Sequence, residues 1–339
     1  MRNVKEHVRR TRFGEVRPEI AVKHKDYQFV AVGSRVFYSK AWKSFPDFIV
    51  GYVREVLGKE WWTADNAKPE ADRHQVCQWF EGMRRYLAIQ QKQADGTVRL
   101  VHDGFGGAFM AFAYDMYIVE HNNRLDGVLL GRLKNKEQFQ GARHELFAEA
   151  TCLRAGFAIE REDEKDKTRK HAEFVATHEQ SGLKFSVEAK SKHRAGVLGM
   201  PGVPLPHSKI TLSFGQLINN ALAKNPPHPL VVFIDTNLPS RAAQRLYTPR
   251  IENGTQIPSR LLMALLDRVA KEHGDKDPYA LLIFSNHPHH YTSPDELNPQ
   301  KNVLAASARN PDPAWQPALA AFVRASTLYG NIPKDLPQK

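Results

Sequence analysis

Two consecutive segments constrain the fold more than anything else in the chain: HAEFVATH (171–178) and LKFSVEAKSK (183–192). In the second, Phe185, Val187 and Ala189 alternate with Ser186, Glu188 and Lys190. A period of two predicts a strand with its apolar set on one face and Glu188 and Lys190 on the other, about 7 Å apart. In the first, Ala172, Phe174 and Ala176 alternate with His171, Glu173 and Val175. A connection of two or four residues, symmetric about Gln180 and Ser181, sets Phe174 against Val187 and Ala176 against Phe185. A three-residue loop would set Phe174 against Glu188 and mix both faces, so the even register is predicted. It places Glu173 directly across from Glu188, with Cα atoms about 4.5–5.5 Å apart.

Like charges facing each other across a ladder destabilise it, by the order of several kcal/mol at an effective dielectric near about 20. A hard divalent cation would remove the repulsion, since Mg²⁺ takes carboxylate and carbonyl oxygens. Lys190, on the same face, would then sit near the metal-bound water and a substrate phosphate. The tripeptide E-x-K alone says little, because on a solvated outer face Glu and Lys merely offset each other. Its weight comes from the elements around it.

ARHELFAEATCLRAG predicts a helix with Ala142, Leu146, Ala150 and Leu153 as its apolar stripe and Gly156 as its stop. FAIERE is expected as a short strand and REDEKDKTRK as an exposed loop, ahead of the two alternating strands. SFGQLINNALAKN and SRLLMALLDRVAKEHG read as helices, PLVVFIDTN and YALLIFSN as buried strands. The expected fold class is α/β: a mixed sheet flanked by helices over residues 141–339. Residues 1–140 begin with extended runs such as YQFVAVGSRVFYS and continue in helical periodicity from Ala41, predicting a mostly helical accessory domain.

The formal charge of +11 and the isoelectric point near 9.5 favour a polyanionic partner. Cys77 and Cys152 are too few and too far apart for a disulfide framework or a cysteine zinc site, which points to a reducing, cytoplasmic setting. No apolar run is long enough for a membrane span, and no apolar segment follows the basic N-terminus as a secretory signal would require.

The helix carrying Glu145, the acid Glu173 in HAEF, the pair Glu188 and Lys190 in VEAK, and the helix that follows resemble the PD-(D/E)XK, or restriction-endonuclease-like, nuclease superfamily. The resemblance covers residues 141–286. It implies a restriction-endonuclease-like sheet and metal-dependent phosphodiester hydrolysis with Mg²⁺ or Mn²⁺, on DNA in preference to RNA. It implies that Glu173, Glu188 and the Ala189 carbonyl hold the metal, that Lys190 orients or deprotonates water, that Glu145 serves a second metal, and that Gln216 faces the site. A further reading makes the chain an effector within a larger assembly, such as a bacterial defence or restriction system, in which residues 1–140 meet a protein partner or a second copy. The sequence departs from the pattern at Ala172-Glu173, where the family has Pro-Asp, and at Asn220, where some branches complete Q-x-x-x-Y. The alternative is a nuclease fold without turnover, acting as a nucleic-acid-binding or scaffold subunit.

Other signals are weaker. Asp163 and Asp166 are alternative partner acids, in loop-like surroundings. His171-Ala172-Glu173 lacks the P-C-x-x-C that a zinc deaminase would need. His171, Lys192 and Arg194 are candidate substrate contacts. His287, His289 and His290 in NHPHHY read as a surface loop, and the segment with Gly196, Gly199 and Gly202 as a substrate flap beside the site.

Overall fold

The computed structural model describes residues 2–91, 103–162, 171–252, 255–274, 277–287 and 302–337. Helix α1 (Arg2–Phe13) precedes an antiparallel three-stranded sheet, β1 (Ile20–His24), β2 (Tyr27–Val32) and β3 (Arg35–Ser39). The chain then turns helical. A capping box between Ser44 and Asp47 starts α2 (Phe45–Leu57), whose Phe48, Ile49, Tyr52 and Val53 are buried. Next come α3 (Lys59–Asn66), α4 (Gln75–Ala88), α5 (Gly104–Asn122) and α6 (Gly127–Lys134). The stripe on α5 widens to nearly all sides, so α5 forms the centre of this layer, packed against α2, α4 and the next helix.

That next helix is α7 (Phe139–Arg154), which ends before Gly156 at φ 82°. The boundary expected at 140/141 falls inside it. Ala142, Leu146, Ala150 and Leu153 join the helical core, while Phe147, Ala148 and Cys152 join the core beneath the large sheet. No linker therefore separates the two regions; they share a helix.

The large sheet has six strands: β4 (Phe157–Arg161), β5 (Phe174–His178), β6 (Lys184–Ser191), β7 (Leu230–Asp235), β10 (Leu281–Asn286) and β11 (Asn302–Ser307). Their order is β11-β10-β7-β6-β5-β4. β4, β5 and β6 form an antiparallel meander, β6, β7 and β10 run parallel, and β11 closes the far edge antiparallel. The parallel crossovers run through α8 (Gly215–Leu222), and through α9 (Ser240–Tyr247), the hairpin β8 (Arg250–Glu252) and β9 (Thr255–Ile257), and α10 (Arg260–Glu272). One face packs Phe174, Val187, Phe233 and Ile283 against α7 and α11 (Gln316–Leu328). The other packs Val232, Ile234, Leu282 and Phe284 beneath α8, α9 and α10. Covered on both sides, β7 and β10 are buried along their whole length, as parallel strands usually are. This is the mixed α/β sheet the sequence predicts, extended by β11 and α11. No helix among the described residues is long and apolar enough to cross a membrane.

α5 and α7 are also joined by charge. Asp115 Oδ2 is ion-paired with Arg143 Nη1 at 3.1 Å and Asp115 Oδ1 with Arg154 Nη2 at 2.9 Å, with all three side chains buried.

Candidate active site

Local pairing sets the site. Phe174 pairs with Val187 and Ala176 with Phe185, and the Glu173 N–H donates to the Val187 carbonyl at 3.1 Å. The His178 N–H donates to the Leu183 carbonyl, so four residues make the turn, with Gly182 at φ 70°. The register is the even one, and Glu173, just outside β5, stands across from Glu188 on β6.

The face they share is not the solvated outer face that alternation alone suggests. α8 packs over β6 and β7, and Ser186 and Glu188 are both 0% exposed. Glu188 forms the floor of a recess whose rim keeps some access to water: side-chain exposure is 19% for Glu173, 22% for Lys190 and 24% for Lys224. Lys224, just past the end of α8, is a member the sequence did not reveal. Its Nζ lies 2.6 Å from Glu188 Oε1 and 3.8 Å from Glu173 Oε1. Lys190 Nζ contacts the same Glu188 oxygen and lies 4.0 Å from Glu173 Oε1. Both carboxylates thus converge on shared cations. Even so, neither Glu188 oxygen makes a well-aligned hydrogen bond, despite complete burial.

The charges are strained in proportion. Burial, reinforced by the Glu188 charge, lifts the Glu173 carboxyl above the usual carboxylate range. At Lys224 burial opposes the charge, but Glu188 outweighs it and holds the ammonium above the ordinary lysine range. Two acids and two lysines give a formally neutral cluster whose desolvation is costly, an arrangement more typical of a working site than of a stabilising one.

The other expected residues are placed as follows. Glu145 on α7 is buried and ion-paired with Arg132 of α6 at 2.8 Å, and the charge of Arg132 also acts on Glu173. Arg132 therefore bridges Glu145 to the recess electrostatically. Ala189 sits between Glu188 and Lys190 and pairs with Phe233 of β7. His171 Nδ1 is engaged by Glu162 Oε2 at 2.7 Å. Lys192 is fixed through its backbone: its N–H donates to the Asp235 carbonyl and its carbonyl accepts from Gln140 and Asn237. Arg194 is not displayed for phosphate as expected, because its guanidinium donates to the carbonyls of Thr236 and Thr211. Gln216 does not face the acids either; it is exposed and donates to Asn220 Oδ1 at 2.8 Å.

The glycine-rich segment is anchored, since Val197 and Leu198 insert into the helical core. At Gly196, with φ 71°, a Cβ would lie 2.4 Å from Pro204, so the turn requires glycine. With Pro239 and Ile210 the segment lines a cavity of about 280 Å³ beside His193 and Arg194. His287, expected on a surface loop, is 1% exposed and faces His144 of α7. Asp163, Asp166, His289 and His290 lie outside the described residues.

No protein-family model matches the chain, no curated protein matches it, and no solved structure matches it.

Proposed function

We propose that this chain is a metal-dependent nuclease of the PD-(D/E)XK kind, hydrolysing phosphodiester bonds in DNA in preference to RNA. The observation that carries the reading is the convergence of Glu173 and Glu188 on shared cations, with Lys190 beside them. The order of elements, a helix, a three-strand meander, a helix and a parallel strand, adds support.

The residues suit a hard cation. Glu188 offers buried oxygens lacking aligned hydrogen bonds, Glu173 faces it, and Mg²⁺ typically takes only about one or two carboxylates. Glu173 and Glu188 would hold Mg²⁺ or Mn²⁺, with the Ala189 carbonyl as a further oxygen donor. A cation there supplies Lewis-acid polarisation of the phosphate and a more acidic water. Lys190 orients that water and offsets charge developing on the phosphate oxygens. Were a cation to take the place of the Lys224 ammonium at Glu188, Lys224 would be left beside the recess to meet a phosphate. Glu145, both of whose oxygens meet Arg132, would have to exchange that pairing to serve a second cation.

The net charge of +11 favours DNA as the partner, and the proposed setting is cytoplasmic. Residues 1–140 are proposed to meet a protein partner or a second copy, as in a defence or restriction effector. The test is cleavage of plasmid, linear and single-stranded DNA with Mg²⁺ or Mn²⁺ against EDTA. Metal-dependent cutting is expected; no cutting with either ion on any of these substrates refutes the enzyme reading.

One observation favours a second reading. The two lysines already neutralise the two acids, so the cluster does not require a metal. A nucleic-acid-binding subunit without turnover would bind DNA in a salt-sensitive way and take up no Mg²⁺ in calorimetry.

The same competition makes Lys224→Met informative. Two unit charges about 4 Å apart interact by about 4 kcal/mol at an effective dielectric of about 20, and partial exposure reduces this. Removing the ammonium is expected to tighten Mg²⁺ binding about tenfold in a DNA-free titration. Unchanged or weaker binding would show that the cation does not replace Lys224 at Glu188.

A further inference from the structure

On the opposite face of the sheet, three buried side chains from distant parts of the chain meet. His144 projects from α7, Asp235 ends β7, and His287 directly follows β10. Their exposures are 0%, 1% and 1%. Val231 and Phe233, which share a strand face with Asp235 by alternation, pack in the core against α7, and Leu281 and Ile283 do the same for His287. Glu188 and Lys190 face α8 instead, so this cluster is separate from the carboxylate recess.

One potential ligand atom from each residue lies within 4.8 Å of the others. His144 Nδ1 and His287 Nε2 are 3.4 Å apart. That is long for a hydrogen bond between two fully buried rings, since the usual separation is about 2.9–3.0 Å. It matches the edge of a zinc tetrahedron, about 3.4 Å when Zn–N is about 2.0–2.1 Å. A modest shift of the carboxylate would close the third side.

The surroundings hold the three groups in place. Asp235 accepts from Ser191 Oγ at 3.3 Å and from the Asn237 N–H at 3.3 Å. Phe147 sets its ring against His287, with centroids 4.5 Å apart. The Phe233 carbonyl lies beside the His144 ring.

We propose that His144, Asp235 and His287 form a transition-metal site that takes Zn²⁺ or a similar first-row dication. Two imidazoles and one carboxylate suit such ions better than Mg²⁺ or Ca²⁺, which prefer all-oxygen shells. Three protein ligands leave a fourth tetrahedral position. The site pins α7 to the carboxyl ends of two parallel strands, where open α/β sheets commonly bind ligands. The Ser191–Asp235 hydrogen bond links it to the strand that carries Lys190.

The test uses the full chain, stripped with a strong chelator and titrated with Co²⁺ and then Zn²⁺. Expected results are one equivalent of Co²⁺ bound with the visible absorption of tetrahedral cobalt, loss of that band on adding Zn²⁺, and a melting temperature at least about 5 °C higher with Zn²⁺. Asp235→Asn should weaken Zn²⁺ binding by at least about a hundredfold. Lys190→Ala should leave it unchanged, so the result does not depend on the nuclease reading. A folded wild-type chain that shows no tetrahedral cobalt spectrum and no Zn²⁺-dependent melting shift overturns the proposal, as does Asp235→Asn binding Zn²⁺ like the wild type. If Asp235→Asn fails to fold, the wild-type spectrum and melting shift decide.

Discussion

Lys190→Ala is expected to bind DNA within a few-fold of the unaltered chain and to cut it at least about a hundredfold more slowly. The size follows from the role proposed for the ammonium. Preorganised groups that meet charge developing in a transition state are worth about 10²–10³ in rate when one is removed. Binding should change little, because one cation is a small part of an interface that a chain of net charge +11 can form. Folding should survive as well. The Lys190 side chain is 22% exposed, and Glu188 keeps Lys224 at 2.6 Å once Lys190 is gone. Glu188→Gln is a poorer first choice, since it leaves both ammonium groups beside a neutral, fully buried amide. Single-turnover cleavage with saturating Mg²⁺ separates the rate from binding, and equal cutting by Lys190→Ala ends the catalytic role assigned to it.

The face shared by Glu173 and Glu188 was legible because a strand's period of two is a local property and two apolar faces had to be satisfied together. What covers that face is not local. Glu188 lies under α8, and Lys224 is brought beside it by the way α8 packs on β6 and β7, which no spacing rule encodes. His287 misleads for the same reason. A histidine followed by Pro288 at the end of a strand reads as loop, yet α7 and Phe147 enclose it. Arg194, Gln216 and the glycine-rich segment have the composition of substrate contacts. Their side chains are committed instead to Thr236 and Thr211, to Asn220 and to the helical core. An acid at the end of PLVVFID was the one readable sign of the second cluster, because a buried strand seldom ends in an unsupported carboxylate. The boundary expected at 140/141 falls inside α7 because that helix carries one apolar stripe for each core, and a stripe does not reveal which partner it meets.

Asp115→Ala is expected to cost roughly 3–5 kcal/mol of stability, the range for leaving a buried charge unpaired. Asp115 is the carboxylate that pairs with both Arg143 and Arg154, whose side chains are 2% and 4% exposed. Burial already lowers the Arg143 guanidinium from its ordinary range, with Asp115 and then Asp235 opposing that effect. Without Asp115, Arg143 would be left with the field of Asp235, and Arg154 would keep the Tyr114 ring, 5.0 Å away. In a chain of this size the loss corresponds to a fall of roughly 10 °C in apparent melting temperature. Because α5 and α7 meet through this triad, the damage should spread to the site: α7 carries both Glu145 and His144, so cleavage and Zn²⁺ retention should decline together at temperatures below the new transition. Replacing the three charges at once, as Asp115→Leu with Arg143→Met and Arg154→Met, should recover much of the stability, since apolar groups of similar volume often substitute for a buried ion network without loss. Chemical denaturation of both variants measures the difference. A loss below about 1 kcal/mol for Asp115→Ala would mean that water reaches the two guanidinium groups and that α5 holds α7 through apolar packing alone.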